Sequence, residues 1–443
     1  MKILNKKVPI LPLVYYRVVL GCLLIYLLIR YFAYGWISKY FIDIQFNFPH
    51  FPFEILRPLP GISMFILFIV LLILAFFILI GFHTRISALF FSIGFAYQHL
   101  LEKAIYLNHY YLIFLLCILL ILTNTTLTES SLRGTIRRIP NWNIFLIRFQ
   151  LGVVYTFGAI AKMRPDWLRE AQPLKIWLLM NRDMFLLGDM LSWKITPYFF
   201  SYAGLIFDLF VFPALLYPKT RKIAYFFVIV FHLLTFSLFP IGLFPWIMLF
   251  LTPICFSNRF HYRIVRKWNQ LFKKVIIFVD RYRISSGKRV QSKGRILLIF
   301  ALIYVFLQIT LPFRHFFYPG NLLWTEEGFN FSWHIMACQK NGTYQFYAKS
   351  NTTGEKTPLN YDYLLSDRQL GQLKTDHYMI WLFAKEIYKR EMEKGREDFH
   401  ITVDHYVSLN GKKAVPIIDP NTRINEVNFN ILSHNSWILP HAE

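Results

Sequence analysis

Two residues of this chain, Lys162 and His109, have the type and the setting that acid–base chemistry requires. Lys162 ends an apolar stretch in the segment GAIAKMRPDW, and His109 follows Asn108 in the segment LNHYYL. An amine with little water around it loses stability as an ammonium, and the neutral amine can remove a proton from a weakly acidic hydroxyl. A neutral histidine can donate a hydrogen bond to the oxygen that becomes negative. The alternative for Lys162 is an anchor, because a lysine at a helix end can extend its amine into the lipid headgroups.

Four more polar residues, Arg17, Arg148, Asp208 and His232, lie within apolar stretches. A charge at the centre of a membrane costs roughly 2.5–3.5 kcal/mol on insertion scales, so each suggests a function or a partner. Arg17 and Asp208 could pair inside a helix bundle and stabilise its packing. Arg148 could reach the headgroups, and His232 could be a hydrogen-bonded core histidine.

The sequence lacks the spacings that several common kinds of site require. It has no HExxH or HxxxH pattern, no CxxC pair among its four cysteines, no GxSxG elbow and no phosphate-binding glycine loop. Zinc sites, serine hydrolases and P-loop enzymes depend on such spacings. We therefore expect no metal.

The composition predicts a polytopic α-helical membrane protein. Of the 443 residues, 56% are hydrophobic and 19% aromatic. Repeated apolar stretches long enough to cross about 30 Å of hydrocarbon are typical of this class. About nine transmembrane helices are expected, of which the third, fourth and eighth are short and could be enclosed by the others. They lie near Leu13–Phe32, Ile62–Phe82, Ile86–Leu101, Leu107–Thr123, Ile144–Ala161, Phe199–Tyr217, Ile223–Phe239, Ile241–Phe256 and Ile296–Leu311.

The basic residues predict the sidedness of these helices. The formal net charge is +23, and the connection 257–294 carries eleven Lys or Arg against one acid, Asp280. Basic connections of membrane proteins face the cytoplasm. This places the N-terminus inside, and Lys162, His109 and the C-terminal part at the outer face. The charge is therefore assigned to topology and lipid contact, and no nucleic-acid partner is expected.

The C-terminal part has a different character and predicts a small extracytoplasmic α+β domain over residues 312–443, after a transmembrane domain over residues 1–311. The segments TYQFYAKS and ITVDHYVSL alternate as strands do, and Asn410-Gly411 is typical of a hairpin turn. Residues from Ser366 to Lys394 predict one amphipathic helix that Ser366 caps and Gly395 ends.

Motifs in a constant order across the chain resemble those of vitamin K-dependent γ-glutamyl carboxylases. The matching segments are FPFEILRPLP, GFHTRIS, LLEKAIYLNHYYL, GAIAKMRPDW, FHLLTFSLFPIGLFPWIML, LPFRHFFYPGNLLWTEEGFNFSWHIM, DPNTRINEVNF and SHNSWILP. The resemblance implies an enzyme in which a lysine deprotonates vitamin K hydroquinone. The anion reacts with O2, and the resulting strong base removes a γ-proton from a peptidyl glutamate, which then takes up CO2. The quinone leaves as its 2,3-epoxide.

Matched by position, this resemblance gives roles to individual residues. The lysine role falls on Lys162 and the supporting histidine role on His109. The quinone pocket is assigned to Asn108, Trp167, Phe231 and His232, and the glutamate site to Phe329, Phe331 and Trp333. No metal is implied, and the partners are a glutamate-containing peptide, the quinone and membrane lipid.

Two alternatives to full carboxylation stay open. The segment 329–333 reads FNFSW, whereas family members have tyrosines at the first and third of these positions. The chain could therefore be a vitamin K epoxidase that does not carboxylate, or a membrane scaffold or lipid-binding protein on the same fold. Cys338 is the only clearly external cysteine, which favours a bacterial cytoplasmic membrane over the endoplasmic reticulum.

Overall fold

The fold is described from a computed structural model, which covers residues 2–123, 137–184, 188–271, 273 and 293–441. Most of the basic connection 257–294 lies outside these described residues. The helices are α1 Lys2–Asn5, α2 Leu11–Ala33, α3 Ile62–Ile80, α4 Thr84–Leu100, α5 Asn108–Leu122, α6 Trp142–Lys162, α7 Pro165–Leu168, α8 Leu174–Leu179, α9 Gly188–Leu191, α10 Thr196–Leu216, α11 Arg221–Leu238, α12 Phe244–Leu251, α13 Asn258–Leu271, α14 Lys293–Thr310, α15 Leu322–Thr325, α16 Asp367–Leu373 and α17 His377–Glu393. The strands are β1 Lys7–Pro9, β2 Arg138–Pro140, β3 Lys340–Ser350, β4 Lys356–Leu359, β5 Phe399–Leu409 and β6 Val415–Pro416.

Six helices in the described ranges are long and apolar enough to cross a membrane. They are α2, α3, α6, α10, α11 and the segment Ile296–Phe317, in which a 3₁₀ turn continues α14. The other three predicted spans correspond to α4, α5 and α12, which are the ones that the sequence shows to be short. Helix α5 buries ten of its fifteen residues, as an enclosed helix would. The membrane class is therefore supported, whereas nine crossings are not established.

Helix α6 lies at the centre of the helical part and holds Lys162 at its C-terminal end. Most of its residues are buried, and α10 packs along it. Gly152 makes this approach possible, because a Cβ atom there would lie 2.5 Å from the Phe212 ring of α10. The small residue thus brings α10, and with it Asp208, close to the end of α6.

Arg17 does not pair with Asp208, so that prediction is wrong. Its Nη1 donates hydrogen bonds to the carbonyl oxygens of Ile78 and Leu79, at 3.2 and 3.0 Å, where α3 ends. The last carbonyls of a helix have no partner within the helix and attract a cation. Gly81 follows with φ +87°, and a Cβ atom there would meet the Arg17 guanidinium. Arg148 binds in the same way, donating from Nε and Nη2 to the Ile254 carbonyl at 3.2 and 3.1 Å.

The C-terminal part contains a four-stranded antiparallel sheet of order β4-β3-β5-β6. Strand β3 pairs with β5 over its whole length, from Lys340 opposite Leu409 to Ser350 opposite Phe399. Both predicted strands are therefore confirmed. The predicted turn is confirmed as well, because Asn410 and Gly411 have φ of +53° and +77° between β5 and β6.

The single helix predicted from Ser366 to Lys394 is wrong, because two helices occupy that range. Ser366 caps α16 with a capping box, and α16 ends at Leu373. Asp376 then caps α17 by accepting a hydrogen bond from the Met379 amide at 3.0 Å. A second N-cap within an apolar pattern starts a new helix without changing the period of that pattern. Gly395 has φ +83° just after α17, as its predicted stopping role requires.

The buried side chains form two large hydrophobic clusters. One joins the apolar helices, and the other joins the sheet to α17. The second cluster also contains Phe48 and Ala104, which precede the C-terminal part by more than 200 residues and are 0% and 3% exposed. Conversely, Trp333 of the C-terminal part belongs to the first cluster. The two parts therefore share side chains across their boundary.

Candidate active site

A cavity surrounds the end of α6, and we call it the lysine cavity. It encloses about 750 Å³ of atom-free space, its open mouth included. Its walls come from α6, α7, α8, α10, α11, the start of α12 with the segment before it, and two residues of the C-terminal part. The lining residues are Val154, Tyr155, Gly158, Lys162, Trp167, Leu174, Trp177, Phe200, Gly204, Asp208, Phe231, His232, Thr235, Phe239, Ile241, Phe244, Ile335 and Met336.

Lys162 and Asp208 form an ion pair on the wall of this cavity. The Lys162 Nζ atom lies 2.6 Å from Asp208 Oδ2, and the two residues are 8% and 7% exposed. The amine also donates to the Gly158 carbonyl at 3.3 Å and lies 5.5 Å from the centroid of the Trp167 ring. A buried ion pair is strongly coupled, because little water screens it. The amine is therefore held inside the protein and does not extend to headgroups, which contradicts the anchor alternative.

Small and aromatic neighbours fix the position of this pair. A Cβ atom on Gly158 would lie 3.3 Å from Asp208 Oδ2, so only glycine leaves the carboxylate its place. Trp167 is held against α10 by two reciprocal hydrogen bonds with Ser201, from Trp167 Nε1 to the Ser201 carbonyl and from Ser201 Oγ to the Trp167 carbonyl. The indole under the amine is consequently rigid.

Phe231 and His232, both assigned to the quinone pocket by the resemblance, line this cavity beside Lys162. The Phe231 ring stacks on Phe207 with centroids 4.0 Å apart. His232 Nε2 lies 3.1 Å from the Tyr155 hydroxyl, and within the described residues its buried Nδ1 has no hydrogen-bond partner. His232 is thus only half satisfied by the protein and keeps one polar atom for another partner.

His109 and Asn108 are at the first turn of α5 and do not line the lysine cavity. The His109 imidazole is 5% exposed and lies against Gly242, where a Cβ atom would be 3.1 Å from its Cε1. Gly242 follows Ile241, which does line the cavity. Asn108 Oδ1 accepts a long hydrogen bond, 3.5 Å, from the Tyr106 hydroxyl. The structure therefore places Lys162 and His109 at the same end of the helices but in separate surroundings.

The three aromatic residues assigned to the glutamate site also lie outside the lysine cavity. The rings of Phe331 and Trp333 contact Tyr111 of α5, at centroid distances of 4.7 and 5.1 Å. Phe329 instead faces His334 at 5.9 Å. Phe331 and Trp333 have φ of +69° and +60°, so this segment turns sharply. The turn brings the next residues, Ile335 and Met336, to the cavity wall.

The sequence did not predict that Asp208 pairs with Lys162, or that Tyr155, Ile335 and Met336 line the cavity. A signal for the pairing existed, because Lys162 follows one predicted span directly and Asp208, with the opposite charge, lies within another. Arg17 offered the same signal, so charge alone could not select the partner.

The C-terminal part covers the segment around Lys162 through polar contacts. Arg164 Nη2 donates to Asn321 Oδ1 at 2.7 Å, and Asp166 Oδ2 accepts from Asn410 Nδ2 at 3.0 Å. Both bonds are made by residues that directly precede Trp167. The C-terminal part thus helps to position the turn that carries this tryptophan.

Two family models match the chain in succession. Residues 5–260 match the HTTM domain, and residues 293–443 match the lumenal domain of vitamin K-dependent gamma-carboxylase. No solved structure matches the chain significantly. Within the described ranges, no three His, Cys, Asp or Glu side chains are placed to hold a metal ion. With the resemblance of its motifs, the two matches show that this integral membrane protein belongs to the vitamin K-dependent γ-glutamyl carboxylase family.

Proposed function

We propose that this protein is a vitamin K-dependent γ-glutamyl carboxylase that couples oxygenation of reduced vitamin K to its 2,3-epoxide with carboxylation of peptidyl glutamate by CO2. The proposed location is a bacterial cytoplasmic membrane, with residues 1–311 in the membrane and residues 312–443 outside it. The observation that carries the proposal is the buried Lys162–Asp208 pair on the wall of an aromatic cavity.

The lysine cavity has the properties that a reduced naphthoquinone requires. Ligand sites of about 300–1,000 Å³ are usually apolar with a few polar groups, and this cavity of about 750 Å³ has aromatic walls around one ion pair. We assign Trp167 and Phe231 to contact the ring system. Reduced vitamin K, when bound, supplies the electrons for O2 and the strong base for the glutamyl γ-proton.

The Lys162–Asp208 pair is suited to accept a proton from a phenolic hydroxyl. A proton moved along the 2.6 Å contact from Lys162 Nζ to Asp208 Oδ2 leaves a neutral amine at the cavity wall. The proton transfer separates no charge, because the ion pair becomes two neutral groups. A dry site favours such a step, since neither group has to be hydrated again. We therefore propose Lys162 as the base and Asp208 as the group that holds its proton.

His232 and His109 take different roles in this proposal. His232 can hydrogen-bond an oxygen in the cavity through the Nδ1 atom that has no partner among the described residues. His109 contacts Gly242 from outside the cavity, so we propose that it positions the neighbouring Ile241 wall. Asn108, at the start of the same helix, would support His109 and would not contact the quinone.

The test is a reaction in which both products are measured separately. Purified protein is incubated with reduced vitamin K, O2, labelled bicarbonate and a glutamate-containing peptide. Epoxide is measured by chromatography, and label is measured in the peptide. We expect both products from the natural protein and neither from Lys162→Ala. The matched control is Lys175→Ala, because Lys175 bonds the Tyr198 hydroxyl outside the cavity lining. Epoxide formation that persists in Lys162→Ala, or its absence from the natural protein, would refute the mechanism.

An epoxidase that does not carboxylate is the second candidate. One observation favours it. Phe331 and Trp333, which the resemblance assigns to the glutamate site, pack on Tyr111, and Ile335 and Met336 line the lysine cavity in their place. This candidate predicts epoxide without label in the peptide. A scaffold or lipid-binding protein predicts neither product, with or without Lys162.

A further inference from the structure

A second cavity lies between the outer connections of the helices and the C-terminal part, and we call it the outer cavity. It encloses about 630 Å³ of atom-free space and shares no lining residue with the lysine cavity. Its charged and titratable lining includes Lys103, Arg314, Glu326, Glu327, Asp376 and His377. The proposed reaction uses none of these side chains.

Each of the three acids among the described residues of this wall already has partners in the protein. Asp376 pairs with Lys103 and Glu326 pairs with Lys340 at 2.7 Å, and Glu327 accepts hydrogen bonds from His434 Nδ1 at 2.7 Å and from the Asn435 amide at 2.8 Å. An acid that is satisfied by a protein cation or by hydrogen-bond donors has little capacity left for a ligand cation. The acids of the outer cavity therefore do not indicate a site for a metal or a basic ligand.

Two residues that line this cavity, Arg314 and His377, are poorly satisfied by hydrogen bonds. Within the described residues, neither Arg314 Nε nor His377 Nδ1 has a hydrogen-bond partner, although both atoms are buried. The only hydrogen bond of the Arg314 side chain in these residues is a long one, 3.5 Å from Nη2 to the Asn330 carbonyl. His377 is 3% exposed. A guanidinium that lines a cavity and makes a single long hydrogen bond keeps donors for a ligand that supplies acceptors, and the His377 ring lies on the same wall.

The shape and charge of the cavity select the kind of acceptor. A guanidinium group matches the two oxygens of a carboxylate, and the partly apolar wall of Phe51, Tyr378 and Phe429 can contact a short aliphatic stem. A phosphate carries more negative charge, and the neighbouring Glu326 and Glu327 would oppose it. A singly charged carboxylate is therefore the better fit.

We propose that the outer cavity docks a carboxylate-bearing side chain of an acidic peptide at Arg314 and His377, apart from the glutamate that reacts. The peptide as source rests on the proposed function. The inference that the ligand is a carboxylate does not rest on the proposed function, because a free dicarboxylate presents the same group. The segment Glu326–Met336 lines the outer cavity with its first residues and the lysine cavity with its last, so a docked peptide would lie beside the lysine cavity.

The experiment measures binding to the full chain in lipid nanodiscs by calorimetry, without reduced vitamin K or O2. The probes are a short peptide with one glutamate, the same peptide with glutamine, sodium glutarate and sodium bicarbonate. We expect the glutamate peptide to bind at least tenfold more tightly than the glutamine peptide. Arg314→Gln should weaken its binding 10- to 100-fold, as expected when a charge-assisted hydrogen bond is lost. The control Arg423→Gln changes an exposed arginine and should have no effect.

A second variant keeps the test decisive if Arg314→Gln does not fold. His377→Leu removes a buried nitrogen without a partner among the described residues, so at pH 7.5 it should keep the melting temperature and still weaken peptide binding. Binding of glutarate or bicarbonate that depends on Arg314 would support the site with a free carboxylate as its ligand. Equal binding of the two peptides, binding unchanged in both variants, or no binding of any probe would overturn the proposal. Epoxide formation measured on the same preparation separates this failure from failure of the proposed function.

Discussion

The lysine cavity and the outer cavity each contain a lysine paired with a buried aspartate, yet their surroundings differ. Among the residues that the structure describes, Lys162 and Asp208 are the only Lys, Arg, Asp or Glu residues lining the first cavity. In the second, Lys103 and Asp376 lie on a wall with further pairs, including Glu326 with Lys340. The pairing itself therefore does not mark a catalytic group. An isolated pair between aromatic rings can exchange its proton with a ligand. In a pair within a network, the neighbouring charges stabilise the ionised forms and oppose such an exchange.

The titration behaviour of the outer cavity agrees with a stabilising network. Burial alone would raise the pKa of Glu326, but Lys340 and Lys103 hold that pKa at about 2. Burial lowers the pKa of His377 to about 3, so its ring is neutral over most of the pH range. Glu326 and His377 therefore keep one charge state near neutral pH, which suits binding and is unsuited to proton transfer, whereas burial lowers the pKa of the neighbouring Lys103 to about 8.

The largest expected difference between the cavities is in epoxide formation, when the aspartate of each pair is replaced by asparagine. Asp208→Asn should reduce epoxide formation about 10³-fold, because the group that positions Lys162 and takes up its proton in the proposed step is lost. The matched variant Asp376→Asn should leave epoxide formation within about threefold, since asparagine also caps a helix. Initial rates at saturating reduced vitamin K measure both. A similar loss in the two variants would mean that both pairs serve the structure alone.

The next effect concerns stability and is expected in the outer cavity. Lys103→Met leaves Asp376, whose side chain is 10% exposed, without its cation and should lower the free energy of unfolding by about 3 kcal/mol. The double variant Lys103→Met with Asp376→Asn should recover most of this loss, because no unpaired charge remains. Thermal unfolding in detergent compares the three proteins. Equal stability of the single and double variants would show that the pair has no net coupling.

A smaller effect is expected from one methyl group in the lysine cavity. Gly158→Ala would place a Cβ atom 3.3 Å from Asp208 Oδ2, so the carboxylate must shift by a few tenths of an ångström. We expect epoxide formation to fall about tenfold with unchanged expression, because proton transfer depends closely on geometry. The control Gly371→Ala has no atom within 4 Å of the new Cβ atom and should keep full activity. Full activity in Gly158→Ala would show that the pair tolerates movement.

The smallest effect is a pH dependence specific to the outer cavity. Unfolded His377 binds a proton below about pH 6.5, whereas the folded residue does so only near pH 3. The unfolded state therefore binds more protons between these values, and stability falls as the pH falls. His377→Leu should reduce this slope by up to about 1.4 kcal/mol per pH unit between pH 6 and 4. Melting temperatures across this range measure the difference, and identical slopes in the two proteins would exclude the contribution of His377.

Local patterns were sufficient to predict the apolar helices, the two long strands and the turn at Asn410. The break between α16 and α17 was missed because Asp376 caps a helix inside a continuous apolar pattern. The partner of Asp208 was missed for a different reason. Arg17 and Lys162 both suited it by charge, and only the packing of α10 on α6 selects Lys162. The separation of Lys162 from His109 likewise depends on how helices pack, which the position of each residue along its own span does not encode.

Phe48 and Ala104 complete the hydrophobic cluster of the C-terminal part, although both belong to connections between the apolar helices. Residues 312–443 expressed alone would expose the surfaces that these two side chains cover, and we expect aggregation. For the same reason, a hybrid that joins the apolar helices of one relative to the C-terminal part of another must match these two positions. If the two parts were exchanged between relatives without preserving these two positions, the hybrid would fail to fold even with every residue of the active site retained.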